Sequence, residues 1–280
     1  MLLGLLAVVG AAGVFGAAAI AQATAARSVP VSSALERLVA GLVRRPAFWL
    51  AIVLNLVGFG LHVAALRLLP LFVAQAGISA SLAVTAVLAV KLLGDSLRRI
   101  EQLAVVGVCV GLAMLTIAAG EAGESSPDGT MTAVLLAAVL AVAALGVWAS
   151  RSTGAWAVTV LGCVAGAGFA AVTIATRLVP ELTPAALVTD PAAYVLVLSG
   201  SVAFLFYSVG LQRGRVTAVT APLVVMQTAL PAAVGIALLG DAIRPGWVPI
   251  ALGGLLLTGG FAIALGRFEA PQDKVTQPRP

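Results

Sequence analysis

The sequence predicts an all-α, polytopic helical membrane protein: nine transmembrane helices, arranged as two inverted four-helix repeats joined by a linking helix. Three observations predict it. Of 280 residues, 61% are hydrophobic and only 10% charged, against roughly 45–50% and about 25% in soluble domains. The apolar residues fall into runs long enough to cross a bilayer, separated by short polar clusters. Part of the chain also matches itself at a fixed offset. The first observation alone excludes a soluble enzyme, a disordered chain, a disulfide scaffold and a nucleic-acid module.

A spanning helix needs about 20 apolar residues to cover roughly 30 Å. The runs are Met1–Gln22, Ala47–Leu66, Pro70–Val90, Leu103–Ala119, Met131–Ser150, Ala155–Thr176, Ala192–Leu211, Val216–Leu239 and Trp247–Leu265. Turn-forming clusters at Ser125–Gly129, Thr189–Pro191 and Arg244–Gly246 separate them. The first run lacks a basic n-region and is longer than a signal-peptide core, so it is read as a retained helix. Cys109 and Cys163 lie inside apolar runs and read as small packing residues. The proline-containing tail, residues 268–280, is expected to be disordered.

The basic residues set the orientation. The odd-numbered loops and the tail hold 13 of the 16 Lys and Arg; the even-numbered loops hold Arg67, Arg177 and Arg244. Basic residues collect on the cytoplasmic side. The N-terminus is therefore expected outside and the C-terminus inside, in a cell membrane crossed many times. The acidic loop Glu121–Thr130 suits the outer face as a solvated connector.

At an offset of 146, Leu92-Leu93-Gly94-Asp95 falls on Leu238-Leu239-Gly240-Asp241, Arg98 on Arg244 and Gly107 on Gly253. At 154, Phe15 and Ile20 fall on Phe169 and Ile174. Residues 1–120 then form one four-helix unit, 121–153 an outer loop and linking helix, and 154–267 the second unit. Five spans separate equivalent helices, so the second copy enters the membrane the other way up. Such repeats enclose a midplane site in many secondary transporters.

The stretch Ala65–Ala119, containing Ala-Leu-Arg-Leu-Leu-Pro-Leu at Ala65–Leu71 and Leu-Leu-Gly-Asp-Ser-Leu at Leu92–Leu97, and more weakly Gln212–Gly266, resembles the drug/metabolite transporter (DMT) superfamily, which includes EamA-type exporters. The resemblance rests on a short helix connection, a Gly-Glu-x-Leu step and a spaced glycine in the next helix; here Asp95 replaces the Glu. It implies a transporter fold. EamA-type members are similar to ten-helix proteins with both ends cytoplasmic. A nine-helix layout looks more like the NIPA-type branch, associated with magnesium. The first helix carries no acid, unlike that of the small multidrug resistance branch, so that kind of proton coupling is not implied.

Candidate substrate-binding residues are polar groups within the runs. An imidazole titrates near neutrality, so His62 reads either as a proton or substrate ligand or as an interfacial histidine. Asn55, Gln75, Tyr207 and Gln227 need partners in a waterless medium. They are candidates for substrate contact and, equally, for interhelical hydrogen bonding. Pro222 and Pro231 are candidate helix breaks and gates. Gly94, Asp95, Gly240 and Asp241 form a structural motif, with each aspartate expected to cap the next helix or pair with the arginine three residues on. Gly107/Gly111, Gly162/Gly166 and Gly254/Thr258 make small-residue faces, read as internal packing in a monomer rather than as a homodimer face.

The expected function is DMT-like alternating-access transport of a small metabolite or ion, driven by a gradient because no nucleotide-binding loop is present. The alternatives are a flippase for a lipid-linked substrate and a NIPA-like magnesium transporter, though a hard cation favours carboxylate ligands and none lies within a run. The reading from another class is a non-transporting scaffold or accessory subunit. No HExxH or GxSxG occurs, so no enzyme is expected. Nor is a cofactor, a metal site or a nucleic-acid partner; the partners are the bilayer and the substrate.

Overall fold

A computed structural model describes residues 2–30, 35–68, 80–95, 98–120, 129–152, 154–179 and 188–267. It is helical, with one isolated antiparallel bridge, Ala119 to Ile243, and no strand among the described residues. In chain order the helices are α1 (Leu2–Arg27), α2 (Leu35–Val43), α3 (Pro46–Leu68), α4 (Ser81–Leu93), α5 (Arg99–Ala118), α6 (Gly129–Ser150), α7 (Ala155–Leu178), α8 (Pro191–Arg213), α9 (Val216–Leu238) and α10 (Val248–Arg267). Each apolar run of the sequence overlaps one of them. Six are long and apolar enough to span a bilayer, and α2 with α3 forms a further bent pair at 83°. α4 and α10 contain shorter apolar segments. The chain is thus a polytopic helical membrane protein.

Two expectations change. Val216–Leu238 runs as one helix with Pro222 and Pro231 inside it, so neither proline breaks the helix. Each only removes the donor for the carbonyl four residues earlier, which is Ala218 or Gln227. The first helix also outlasts its apolar run and continues to Arg27. The boundary at Gln22 followed hydropathy, but an interior polar partner lets a helix continue past its greasy stretch. The acidic residues Glu121, Glu124 and Asp128, Gln75 and the tail 268–280 lie outside the described residues.

Helices pack in corresponding pairs: α1 on α3 and α4, α7 on α8 and α9, and α5 against α10. Small residues bring the backbones together. A Cβ at Gly111 would meet the Gly254 carbonyl oxygen of α10 at 2.7 Å, and one at Gly166 would meet Met226 Cβ of α9 at 2.8 Å. Gly107 faces Phe261, and Gly162 faces Pro222. These small-residue faces are filled within the chain. Helix association in lipid relies on such dispersion contacts, since water drives nothing together there.

Gly111→Ala is expected to lower the melting temperature in detergent, because the added methyl presses on backbone; overpacking of this kind costs about 1–3 kcal/mol. Gly60→Ala, with open space around its Cα, should leave it unchanged. Equal melting of both variants and the parent would contradict the close α5–α10 approach.

Candidate functional site

The polar chemistry of the chain gathers at the two ends of the bundle. α4 and α9 end in the same way. Gly94 and Gly240 take positive φ of 70° and 73°, which glycine adopts without the clash a Cβ causes. The chain then folds back. Asp95 N–H bonds the Ala89 carbonyl at 3.2 Å, and Asp241 N–H bonds that of Gly235 at 2.9 Å. This turn aims each carboxylate inward rather than at the next helix. At Gly235 the missing Cβ leaves space for the Asp241 carboxylate.

Each aspartate meets an arginine at the end of another helix. Arg27 of α1 donates both Nη atoms to Asp95, at 3.1 and 3.2 Å. Arg177 of α7 donates both to Asp241, at 2.8 Å each. Bidentate pairing of this kind is stronger and more directional than a single contact. The expected pairing of Asp95 with Arg98 is therefore replaced: its arginine lies 68 residues away in sequence. Asp241 likewise takes Arg177 as a partner, 64 residues away. The two pairs sit at opposite ends of the bundle. Arg27 also donates to the Gly214 carbonyl, before α9 begins, while Asp241 follows its far end.

One end carries a third pair. Arg215 donates to both oxygens of Glu101, at 2.8 and 2.9 Å. The Glu101 side chain is only 3% exposed. Glu101 also accepts from the Arg98 N–H at 2.8 Å, closing the first turn of α5. The Val216 N–H reaches Asp95 at 3.3 Å. Nearby, the buried Gln22 donates to the Phe204 carbonyl and to Ser208 Oγ, at 3.0 and 2.9 Å. Gln212 donates to the Val29 carbonyl at 2.7 Å. Together these bonds tie α1 and the α4–α5 connection to the α8–α9 turn. At the opposite end, Gly120 N–H bonds the Ala242 carbonyl at 2.8 Å and Arg244 N–H that of Ala118 at 3.1 Å. That contact continues the α5–α10 pair. α1 packs on α8, but α7 makes no comparable contact with α3.

The sequence candidates scatter. Asn55 donates to the Ala51 carbonyl of its own helix at 2.8 Å. Tyr207 is buried and shares a 2.7 Å hydrogen bond with Thr220 between α8 and α9. Both groups are thus occupied inside the protein. His62 is half-buried in α3, and its Nδ1 has no partner among the described residues. Gln227 is half-buried at the middle of α9, and its amide bonds no other described residue. α3 packs on α1 and α2 and makes no extended contact with α9, so His62 and Asn55 are not brought together with Gln227.

Sequence reading missed Gln22, Arg27, Arg177, Glu101 and Arg215. A signal for Arg27 and Arg177 was present: Arg27-Ser28-Val29-Pro30 matches Arg177-Leu178-Val179-Pro180 at an offset of 150. The third pair leaves no such trace. At the offset of 146, Trp247 stands opposite Glu101 and Leu69 opposite Arg215.

No protein-family model, curated protein or solved structure matches the chain.

Removing one member of a partly buried pair leaves the other charge poorly solvated, on the order of 2–3 kcal/mol, below the 3–5 of a fully buried pair. Asp241→Asn and Arg177→Gln should each lower the melting temperature, and the exchange Arg177→Asp with Asp241→Arg should recover part of the loss. A charge-exchanged double variant no more stable than the sum of the single Arg177→Asp and Asp241→Arg losses would show that the pair contributes nothing.

Proposed function

We propose that this chain is a DMT-like transporter of nine spans, in which two inverted four-helix units alternate access to a solute passage. The duplicated Arg–Asp clasp carries the reading. A carboxylate held at a glycine turn after one helix of each unit, gripped by an arginine at the end of that unit's first helix, recurs at opposite ends of the bundle. A tandem repeat in the same orientation would put both clasps at one end. The matching helix partnerships, α1 with α3 and α4, and α7 with α8 and α9, support the same arrangement.

The unduplicated pair gives this reading a mechanism. Glu101 and Arg215 belong to different units, and their bond spans the interface at one end only. The charge split of the loops makes that end cytoplasmic. The conformation is then one sealed on the cytoplasmic side, with the clasps holding each unit rigid and Glu101–Arg215 acting as the removable lock between them. Transport needs two states of similar energy. A polar lock that can exchange protein partners for water is suited to such a balance. The amide and freed carbonyl of Gln227, near the midplane, supply hydrogen bonding for an uncharged solute.

The test uses a Thr217→Cys variant with Cys109 and Cys163 replaced by alanine, in proteoliposomes. Thr217 is 5% exposed, in the first turn of α9 behind Arg215. Adding Glu101→Gln is expected to raise its labelling rate, from the cytoplasmic side, by a membrane-impermeant maleimide several-fold. An unchanged rate would count against the lock, and so against a passage sealed there.

A further inference from the structure

Where α6 and α9 flank α7, a cleft of about 190 Å³ opens. Ala167, Ala170 and Ala171 of α7 form its floor; Val139 of α6 and Leu230 and Val234 of α9 stand at its sides. α6 packs on α7 and α8, and α9 packs on α7, but no extended contact joins α6 to α9. The small floor residues keep the gap open. None of its lining side chains carries a nitrogen or oxygen atom. Along α6 the lining runs from Met131 to Val142. That is about 16 Å at 1.5 Å per residue, close to half of the roughly 30 Å hydrocarbon core. The wall helix α6 is itself exposed, with Val134 and Leu140 both at 55%. The cleft therefore opens sideways into lipid, with the depth of one leaflet.

A polar residue stands just beyond its inner limit. Gln227, Leu230 and Val234 stand at i, i+3 and i+7 and share one stripe of α9. The stripe that walls the cleft thus ends, one turn nearer the membrane centre, at the Gln227 amide. Pro231 leaves the Gln227 carbonyl without its helical donor. Gln227 does not itself line the cleft; its two hydrogen-bonding groups stand one helical turn beyond the apolar lining. α6 and α9 contain no Asp, Glu, Lys or Arg, and the only one in α7, Arg177, is held by Asp241. Nothing there offsets the cost of a charged group.

We infer that the cleft and Gln227 together bind a membrane amphiphile with one hydrocarbon chain and an uncharged hydrogen-bonding head. The chain lies between α6 and α9, and the head sits at Gln227. As an assignment of cargo this rests on the transport reading, but binding is measured without flux.

The probe is a monoacylglycerol carrying a diazirine in its chain, added to the full-length protein in phosphatidylcholine nanodiscs. After photolysis, adducts mapped by mass spectrometry should concentrate in residues 131–142, 167–174 and 230–238. Unlabelled monoacylglycerol should compete, and lysophosphatidylcholine, with its charged head, should compete poorly. Gln227→Leu should weaken monoacylglycerol competition by about three- to twenty-fold, the worth of one intramembrane hydrogen bond. Ala138→Trp, which fills the cleft from its exposed rim, should remove the adducts. Adducts spread evenly over the lipid-facing helices would overturn the inference. So would loss with Ala138→Trp but not with Gln227→Leu, which leaves a chain site indifferent to the head. A normal Thr217→Cys response without cleft adducts sinks this inference alone; cleft adducts without that response sink the transport reading alone.

Discussion

Charge burial constrains this chain more than any other force. With 10% of its residues charged, each ion near the hydrocarbon must find a partner or stay in the headgroups. The structure meets that demand with bidentate arginine–carboxylate bonds, each joining helices distant in sequence. Such bonds are geometrically demanding, since two parallel donors must meet two acceptors. They fix where α1, α4, α7 and α9 end relative to one another. Between those ends, glycine and alanine faces let α5 approach α10, and α7 approach α9, closely enough for dispersion to hold them.

The clasps and the lock differ in what they join. In the proposed two-unit arrangement, Arg27–Asp95 and Arg177–Asp241 each connect the first helix of a unit to the turn after a later helix of the same unit. Arg215–Glu101 connects one unit to the other. Under the proposed mechanism the first two are permanent and the third is made and broken. Its composition suits that role. Glu101 is held by the α5 first turn as well as by Arg215, so it stays oriented when the arginine leaves. Asp95 with the Val216 N–H, Arg27 with the Gly214 carbonyl, Gln22 with Phe204 and Ser208, and Gln212 with the Val29 carbonyl bond across the same interface and must open with it.

Much of the architecture was legible in the sequence because hydropathy reports the solvent around a helix directly. Each apolar run overlaps a helix among the described residues, with residues 70–79 of the third run outside them, and the Leu-Leu-Gly-Asp pair became two matching turns. The site was less legible, for a physical reason. Asn55 and Tyr207 stand out in an apolar run, but an amide or phenol in lipid is satisfied by whatever acceptor lies nearest, here the Ala51 carbonyl and Thr220. Their type carries no signal about a ligand. The partners that do organise the ends, Arg27 and Glu101, sit in segments that hydropathy assigns to loops. Gln22 fell at the predicted end of its helix, although α1 continues for five residues beyond it. Long-range pairing leaves a sequence trace only where it is duplicated, as in the two Arg-x-Val-Pro segments. The Glu101–Arg215 pair, present once, leaves none.

The most direct measurement of the central claim is a pair of spin-label distances in nanodiscs. One pair, at Arg44 and Arg151, reports on the end that carries the lock; the other, at Leu68 and Tyr194, reports on the opposite end. The account predicts that Glu101→Gln shifts the first distribution to longer distances and the second to shorter ones, in step. Two distributions that stay unchanged, or that lengthen together as the bundle loosens, would contradict it.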